Sequence, residues 1–206
     1  MEKARDWIDL EYAAILSKPI ELFDPLNPEK RIGVRYSCYE KVMQVLGKAL
    51  GVHRFKEHLE ARKDEQGRYV LIPAVWADGF NVYSMGMTQV LVTLCNLLGL
   101  SHSQDIMMEV GIAIAGEKDE GVMAEIYDDL DVCHHRLIDE SKKGGTKVLL
   151  WGEWNAKSSN SVPRYETVVC PLGLLARLDG KIRSILLQVA NGSAGSADHG
   201  GTVTCR

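Results

Sequence analysis

Residues 69–115 form a stretch of forty-seven residues without a single lysine or arginine. The only formal charges in this stretch are those of Asp78, Asp105 and Glu109, whereas 25% of the whole chain is charged. Lysine and arginine are normally spread over every solvated face of a protein, so their absence over this length predicts that little of the segment faces water. We therefore expect residues 69–115 to form the hydrophobic centre of the fold.

The composition is that of an average globular chain. With 206 residues, of which 46% are hydrophobic, the chain is long enough for a substantial core, and we predict a single domain over residues 1–206. The net charge is −4. Nucleic-acid-binding proteins usually carry a basic patch, and the best local cluster here, Lys30, Arg31 and Arg35, is small, so we predict no nucleic-acid partner.

The N-terminal sequence MEKARDWIDLEY is charged and lacks the apolar run of a signal peptide, which predicts a cytoplasmic protein. Polar residues such as Thr88 and Asn96 interrupt the most apolar window, 82–100, so this window fits a buried helix better than a membrane span. We therefore predict no membrane partner. The five cysteines form an odd set without a CxxC pair, which favours reduced thiols and indicates neither a zinc ribbon nor a redox dithiol.

The spacing of apolar residues predicts the secondary structure. Recurrence at every third or fourth position predicts helices over 2–17, 33–50, 52–63, 82–98, 102–115 and 119–142. Runs of β-forming residues predict strands over 69–75, 147–154 and 165–170, with a last strand at the C-terminal TVTCR. After Leu172, an apolar stripe predicts one more helix; its members are Leu175, Leu178, Ile182, Ile185, Leu186 and Val189.

This element order predicts an α+β fold, in which a mainly helical part, 1–143, packs on a small and mainly antiparallel sheet within 144–206. Three prolines, Pro19, Pro25 and Pro28, predict a loop before the second helix. The connection between the helices over 82–98 and 102–115 is short, so we expect these two helices to form an antiparallel hairpin at the centre of the fold.

The C-terminal layout resembles that of a known group of domains. A strand that ends in Cys170–Pro171, a helix containing Gly173 and Gly180, and a final strand with Cys205 resemble 4-vinyl-reductase-like and haem-nitric-oxide-binding-like small-molecule domains. The resemblance implies a pocket between the helical part and the sheet for a hydrophobic or metabolite-like ligand. It gives no ground for haem, because the chain has no Tyr-x-Ser-x-Arg motif, and no cofactor is identified.

Three residues are candidates for catalysis. Glu109 is the only charge within an apolar segment, so burial would raise its pKa and suit it to proton transfer, unless the helix turns one wet face to solvent there. Cys170 precedes a helix that a proline would start, and the amide dipoles of that helix would lower the pKa of the thiol. Asp78 lies in a tight connection next to the apolar centre. A packing role is the alternative for each.

Uncharged polar and aromatic residues are candidates for ligand binding. Gln89, Thr93 and Asn96 form a neutral stripe that would line a cavity or an oligomer contact, or else form a quiet surface. We expect Glu109 to meet this stripe or to point into a ligand cavity. The remaining candidates, each of which could equally be core, are Trp76, Asn81, Tyr83, Trp151, Trp154 and Tyr165. His134 and His135 form no His-x-x-x-His pattern; Asp128, Asp131 and Asp139 on the side of His135 would allow a metal ion but fit a solvated acidic face better, so no metal site is predicted.

Two functions from different classes remain open. The first is a small-molecule-binding domain, including an enzyme of the hydrolase or lyase type, with a largely apolar pocket. The second is a non-enzymatic structural or adaptor protein, in which the uncharged helices of 82–115 form a homo-oligomer interface.

Overall fold

The computed structural model describes residues 18–97, 106–115, 120–150 and 164–177. Within these residues it contains three α-helices and nine β-strands. The helices are α1 (Cys38–Gly51), α2 (His53–Leu59) and α3 (Glu120–Lys142), and a short 3-10 turn covers Glu60–Arg62. The strands are β1 (Ile20–Asp24), β2 (Asn27–Arg35), β3 (Tyr69–Val70), β4 (Pro73–Val82), β5 (Met85–Leu94), β6 (Met108–Ala113), β7 (Thr146–Leu149), β8 (Tyr165–Val169) and β9 (Leu175–Arg177).

A six-stranded sheet with the order β1-β2-β6-β5-β4-β9 forms the larger part of the described structure. Its neighbours are antiparallel except for β9, which runs parallel to the outer edge of β4. A three-stranded sheet has the order β3-β8-β7. The strands of the two sheets are interleaved along the chain, and the sheets join directly where only Leu71 and Ile72 separate β3 from β4.

The alternation of side chains along β5 explains why this segment forms a strand. Thr88, Val90 and Val92 are β-branched, and their side chains are fully buried on one face of the sheet. Gln89 and Leu91 point to the other face and are half-buried. β-Branched side chains pack well on a pleated surface and lose rotamer freedom in a helix, so this spacing of two favours a strand.

Helices α1 and α3 cover one face of the large sheet. The buried side of α3 is the seam predicted from its spacing, formed by Met123, Ile126, Leu130, Cys133 and Leu137. The helix lies close to β6, since a Cβ atom added at Gly111 would be 3.0 Å from the Cδ1 atom of Ile126. At the start of α1, the Ser37 side chain accepts a hydrogen bond from the Glu40 amide. The helices and this inner face of the sheet form the main core.

The predicted fold class is wrong, because the N-terminal two-thirds of the chain contain most of the large sheet instead of a helical layer. The segment around the three prolines forms the β1–β2 hairpin. The segments expected to be helices over 82–98 and 102–115 are strands β5 and β6 in their described parts, although they are antiparallel neighbours as expected. The stripe that begins at Leu175 starts in strand β9 instead of in a helix.

Other elements agree with the sequence. Helices α1, α2 and α3 lie within or next to the ranges predicted for them, and β8 occupies the predicted strand at 165–170. Residues 2–17 and everything after Arg177 lie outside the described residues, and so does the second half, 151–154, of the predicted strand at 147–154, whose residues 147–149 lie in β7. None of the helices in the described part of the chain combines the length and the apolar character needed to cross a membrane.

Candidate functional site

One face of the large sheet is not packed against α1 or α3, and we call it the open face. It is formed by alternate residues of four adjacent strands, namely Val34 of β2, Trp76, Asp78 and Phe80 of β4, Met87, Gln89 and Leu91 of β5, and Glu109 and Ile112 of β6. All nine side chains are exposed or half-buried. Six of the nine are apolar, and none carries a positive charge. An exposed apolar surface of this kind is typical of a binding site.

Cross-strand pairing aligns these side chains in rows. One row contains Asp78, Gln89, Ile112 and Val34, which are register partners across four strands. Because paired residues in neighbouring strands point to the same side of a sheet, the residues of each row are close neighbours. A second row contains Trp76, Leu91 and Glu109. The open face therefore combines apolar side chains with a small polar centre.

The polar centre of the open face is the pair Gln89–Glu109. The Nε2 atom of Gln89 donates a hydrogen bond of 2.7 Å to Oε2 of Glu109. This contact confirms the expectation that Glu109 meets the neutral stripe, although the contact joins two strands and not two helices. Glu109 is half-buried. It also acts on Lys41 of α1: burial lowers the pKa of Lys41, and the negative charge of Glu109 opposes that shift.

The end of the β4–β5 hairpin extends beyond its neighbouring strands. Strand β9 pairs with β4 only as far as Trp76, and β6 pairs with β5 only from Thr88 onwards. Residues 79–87, which we call the arm, therefore pair only across the β4–β5 hairpin in the described structure. A two-stranded ribbon without further neighbours is only marginally stable in water. The arm is thus the part of the sheet with the least support from the rest of the fold.

The arm exposes large apolar side chains. Tyr83 is 98% exposed at the tip, Met85 is 47% exposed, and Phe80 is 38% exposed. Asn81 also lies in the arm and is exposed. The backbone of Tyr83 has φ = +55°, in the left-handed region that favours glycine. Two of the predicted ligand-binding residues, Asn81 and Tyr83, therefore lie on the arm, adjacent to the open face.

Cys170 does not belong to this surface. Its side chain is buried in the core, and burial raises the pKa of its thiol to about 12, with smaller contributions from Cys133 and Glu140. The expectation of a lowered pKa is wrong, because a turn and not a helix follows at Pro171 and Leu172, so no helix dipole acts on the thiol. A thiol in this state is a poor nucleophile at neutral pH.

Two other buried cysteines, Cys38 and Cys133, lie near Cys170. The interaction between the Cys38 and Cys133 thiols is the main cause that raises the pKa of Cys38, and burial adds to it. The amide of Cys170 donates a hydrogen bond of 2.7 Å to the Ser141 hydroxyl, which fixes the end of β8 on α3. All three cysteines therefore contribute to packing where α1, α3 and β8 meet.

The other predicted ligand-binding residues lie apart. Thr93 and its cross-strand partner Ala74 point to the same side of the sheet as Leu91 and Trp76 but are buried, so the open face ends at Leu91 and Trp76. Asn96 bonds to the backbone of Ile72 and, at 3.1 Å, to the Val70 carbonyl, and so supports the junction of β3 and β4. Tyr165 is exposed on the smaller sheet. Trp151 and Trp154 lie outside the described residues.

A cavity at the predicted position between helices and sheet is small. Residues of α1, α3, β7 and β8 line a partly open crevice that has no room for a water molecule; its lining is Met43, Leu46, Leu137, Ser141, Thr146, Val168 and Cys170. Small-molecule pockets usually measure roughly 300–1,000 Å³. Neither Glu109 nor Asp78 lines this space. Its size and lining are those of an ordinary packing gap.

The histidines of α3 have structural contacts. The amide of Leu174 lies 3.2 Å from Nδ1 of His134, and Nε2 of His135 lies 3.6 Å from an Asp131 carboxylate oxygen at the surface. Among the residues that the structure describes, no three histidine, cysteine, aspartate or glutamate side chains converge on a position that could hold a metal ion.

A half-buried polar cluster around Glu140 was not predicted from the sequence. The Tyr39 hydroxyl donates a hydrogen bond of 2.7 Å to Oε2 of Glu140, Nε of Arg136 donates one of 2.9 Å to Oε1, and the Thr146 hydroxyl also donates to Oε2. Burial, followed by the Glu140 charge, raises the pKa of Tyr39 to about 12. The Glu140 cluster joins α1, α3 and β7. The only signal in the sequence is the Arg136/Glu140 spacing of four on a helix.

We expect Glu140→Gln to destabilise the fold by about 1–3 kcal/mol at pH 7, because three donors lose a charged acceptor. Burial alone would raise the pKa of Glu140, but the hydrogen bonds from Thr146, Arg136 and Tyr39 hold it below its ordinary value of 4.5. The stabilisation is therefore present above pH 4.5 and is lost as the pH falls through the lowered pKa. Urea unfolding of both proteins should show a difference that shrinks in acid; a difference that stays constant from pH 7 to below the lowered pKa would contradict this role.

Comparison with known proteins does not assign the chain to a family. No protein-family model matches the chain, and no curated protein matches it significantly in sequence.

Proposed function

We propose that this chain is a non-enzymatic interaction protein that associates with a second copy of itself through the arm and the open face. The observation that carries the proposal is the arm, in which Phe80, Tyr83 and Met85 are exposed on a ribbon that has no neighbouring strand in the described structure. Aromatic side chains and methionine are enriched at the centres of protein interfaces, where lysine and glutamate are depleted.

The turn of the arm supports this proposal. A non-glycine residue in the left-handed region costs of order 1–3 kcal/mol. Tyr83 occupies this region, and its ring makes almost no contact with the rest of the chain, since it is 98% exposed. The folded monomer therefore gains little from a tyrosine at this position. Contact with a partner would supply the compensating gain.

The size and charge of the surface suit a second copy. Strands β4 and β5, with ten residues each, are about 34 Å long and β6, with six, is about 20 Å long, so the four-strand face, roughly 19 Å wide, is smaller than the ~800 Å² per partner of a standard interface and suits a weak complex. Residues 69–115 contain no lysine or arginine. The largely apolar face can pack on its own copy around a two-fold axis, in an arrangement that keeps the carboxylates of Asp78 and Glu109 apart from their counterparts.

The enzymatic alternative has less support from the geometry. Its three proposed catalytic residues are dispersed, with Glu109 and Asp78 on the open face and Cys170 in the core behind the sheet. General acid–base or nucleophilic catalysis requires such groups within hydrogen-bond reach of one another or of a common substrate. The implied pocket of the small-molecule domains therefore remains a prediction from resemblance.

Sedimentation equilibrium over a range of protein concentrations tests the proposal. We expect the average mass to rise from the 22.9 kDa of one chain towards twice that value as the concentration increases. A mass that remains at one chain up to concentrations of about 1 mM, the weakest range for a specific complex, would overturn the proposal.

Replacement of Tyr83 by glycine separates folding from association. We expect Tyr83→Gly to leave the monomer unchanged or to stabilise it by about 1 kcal/mol, because glycine adopts φ = +55° without strain. The same change removes an exposed aromatic ring and should weaken self-association about tenfold. Thermal unfolding of dilute protein and sedimentation provide the two readouts. A variant with a lower melting temperature and unchanged association would contradict both expectations.

A further inference from the structure

The described methionines differ in their exposure to solvent. Six of the seven methionines of the chain lie in the described residues, and Met85 is the only exposed one among these six, at 47%. The other five are buried or half-buried; they are Met43, Met87, Met107, Met108 and Met123. None of the four cysteines in the described part of the chain is exposed. Within this part of the chain, Met85 is therefore the sulfur-containing side chain that a small oxidant in solution reaches most readily.

Met85 lies on the open-face side of the arm. It pairs with Val82 across the β4–β5 hairpin, and Met87 pairs with Phe80. Because side chains alternate along a strand, Met85 points to the same side of the sheet as Met87 and Gln89. The arm contains no charged residue. A polar group added to Met85 would therefore lie within the apolar surface of the arm.

We propose that Met85 is a site of reversible oxidation by peroxides and that this oxidation weakens the self-association of the chain. The oxidation site stands by itself, whereas its effect on association rests on the proposed function. In the reaction, the thioether sulfur of Met85 donates an electron pair to one oxygen atom of hydrogen peroxide. The O–O bond breaks, an S–O bond forms, and the other oxygen atom leaves as water. The sulfur is thereby oxidised by two electrons to the sulfoxide, and the peroxide is reduced by two.

The sulfoxide opposes association because it is polar. A methionine side chain is flexible and apolar and fills gaps in a contact surface, whereas its sulfoxide carries a hydrogen-bond acceptor that is costly to bury without a donor. A two-fold interface would contain this group twice, once from each chain.

Association protects Met85 in turn. A second copy that covers the arm also covers Met85, so peroxide reaches this side chain only in single chains. The rate of oxidation at Met85 should therefore fall as the protein concentration rises. The rate at Met43, a half-buried residue of α1 in the crevice between helices and smaller sheet, should not change.

The first experiment measures the order of oxidation. The full-length chain is treated with hydrogen peroxide in dilute solution, and site-resolved mass spectrometry gives the rate at each methionine. We expect Met85 to be oxidised at least about tenfold faster than Met123, because a completely buried side chain reacts only when the core opens. Equal rates at these two residues, or faster oxidation of Met43 or Met108 than of Met85, would overturn the site.

The second experiment measures association before and after oxidation. The peroxide treatment is stopped before sulfoxide appears at Met123, and dithiothreitol then reverses disulfides and sulfenic acids without reducing the sulfoxide. Sedimentation equilibrium gives the association constant. We expect it to fall at least about tenfold in the wild type, and to recover after incubation with reductases for both sulfoxide epimers.

Met85→Leu is the matched variant, because leucine has a similar volume and no sulfur. Each protein is compared only with itself before and after peroxide, so a different starting association constant does not affect the result. Peroxide should leave the association constant of Met85→Leu unchanged and should still lower that of Met87→Leu, which keeps Met85. Loss of association in oxidised Met85→Leu, to the same extent as in the wild type, would overturn the proposed effect.

The two experiments distinguish the failure of Met85 oxidation from that of the proposed function. If single chains are found at every concentration, the proposed self-association fails, and the effect of oxidation on it fails as well, while the order of oxidation still decides the site. If the chains associate and peroxide changes the wild type and Met85→Leu equally, only the effect of Met85 oxidation fails.

Discussion

Leu94→Ala is expected to destabilise the protein by about 2–5 kcal/mol, because it leaves a cavity among fully buried side chains. Leu94 is the last residue of β5, its side chain is completely buried, and it belongs to the main hydrophobic core. The measurement is the free energy of unfolding from urea titration, with the slope of the transition compared between variant and wild type to exclude a change in the denatured state.

Leu91→Ala is the matched control for this prediction. Leu91 lies on the same strand but points to the open face, where it is half-buried, so the loss should be about 1 kcal/mol or less. Because β5 has one buried and one exposed face, the loss of unfolding free energy should be larger at Leu94 than at Leu91. Equal losses at Leu94 and Leu91 would show that both sides of β5 are packed, and would remove the open face from the account.

The second large effect concerns association. Met85→Lys is expected to weaken self-association by at least about 100-fold, because two copies would bring unpaired ammonium groups into an apolar contact. Met85 is 47% exposed in the arm, so the monomer should keep its stability to within about 0.5 kcal/mol. Sedimentation equilibrium gives the association constant, and urea unfolding of dilute protein confirms the fold.

Leu26→Lys controls for the general effect of a lysine on an exposed apolar position. Leu26 is 95% exposed in the turn between β1 and β2, at the same end of the sheet as the arm but on the other side of β6 in the strand order. We expect its replacement to leave association unchanged. If Leu26→Lys weakens association as much as Met85→Lys does, the interface is not specific to the arm.

The hydrophobic centre illustrates how far a local pattern can be interpreted. The absence of lysine and arginine from residues 69–115 predicted that little of the segment faces water; the inner face of β5 is buried as expected, but the prediction is wrong for the arm, where Tyr83 is 98% exposed. The outer face carries Leu91, Met87 and Trp76 instead of charged residues. Apolar residues from both faces therefore follow one another in the sequence, and the alternation of apolar and polar residues that is typical of a strand is not visible. A continuous apolar run does not distinguish a helix from a strand, and the helix was the wrong choice here.

Helix α3 was predictable because its outer side is polar. Exposed Asp128, Asp131 and His135 alternate with buried Ile126 and Leu130, so the helical period remains visible in the sequence. Strand pairing is different. It joins residues that are distant in sequence, such as Val34 and Ile112, and no local pattern contains that information.

The candidate sites show the same limits. The contact of Glu109 with Gln89 was predicted because an isolated carboxylate in an apolar segment needs a polar partner, and that argument holds in a strand as well as in a helix. The reactivity expected of Cys170 depended on a helix after Pro171, and it failed with that helix. The arm had no signal in the sequence, because its exposure follows from the lengths of strands β6 and β9.

Hydrogen–deuterium exchange at two protein concentrations is the most direct test of the central claim that the arm and the open face carry self-association. Among the residues that the structure describes, amides of the arm bond only across the β4–β5 hairpin, so they should exchange rapidly in dilute protein. We predict that peptides covering residues 79–91 become protected as the concentration rises, while peptides from the β1–β2 hairpin do not change. Association that protects the β1–β2 hairpin or the smaller sheet, and leaves residues 79–91 unchanged, would contradict the account.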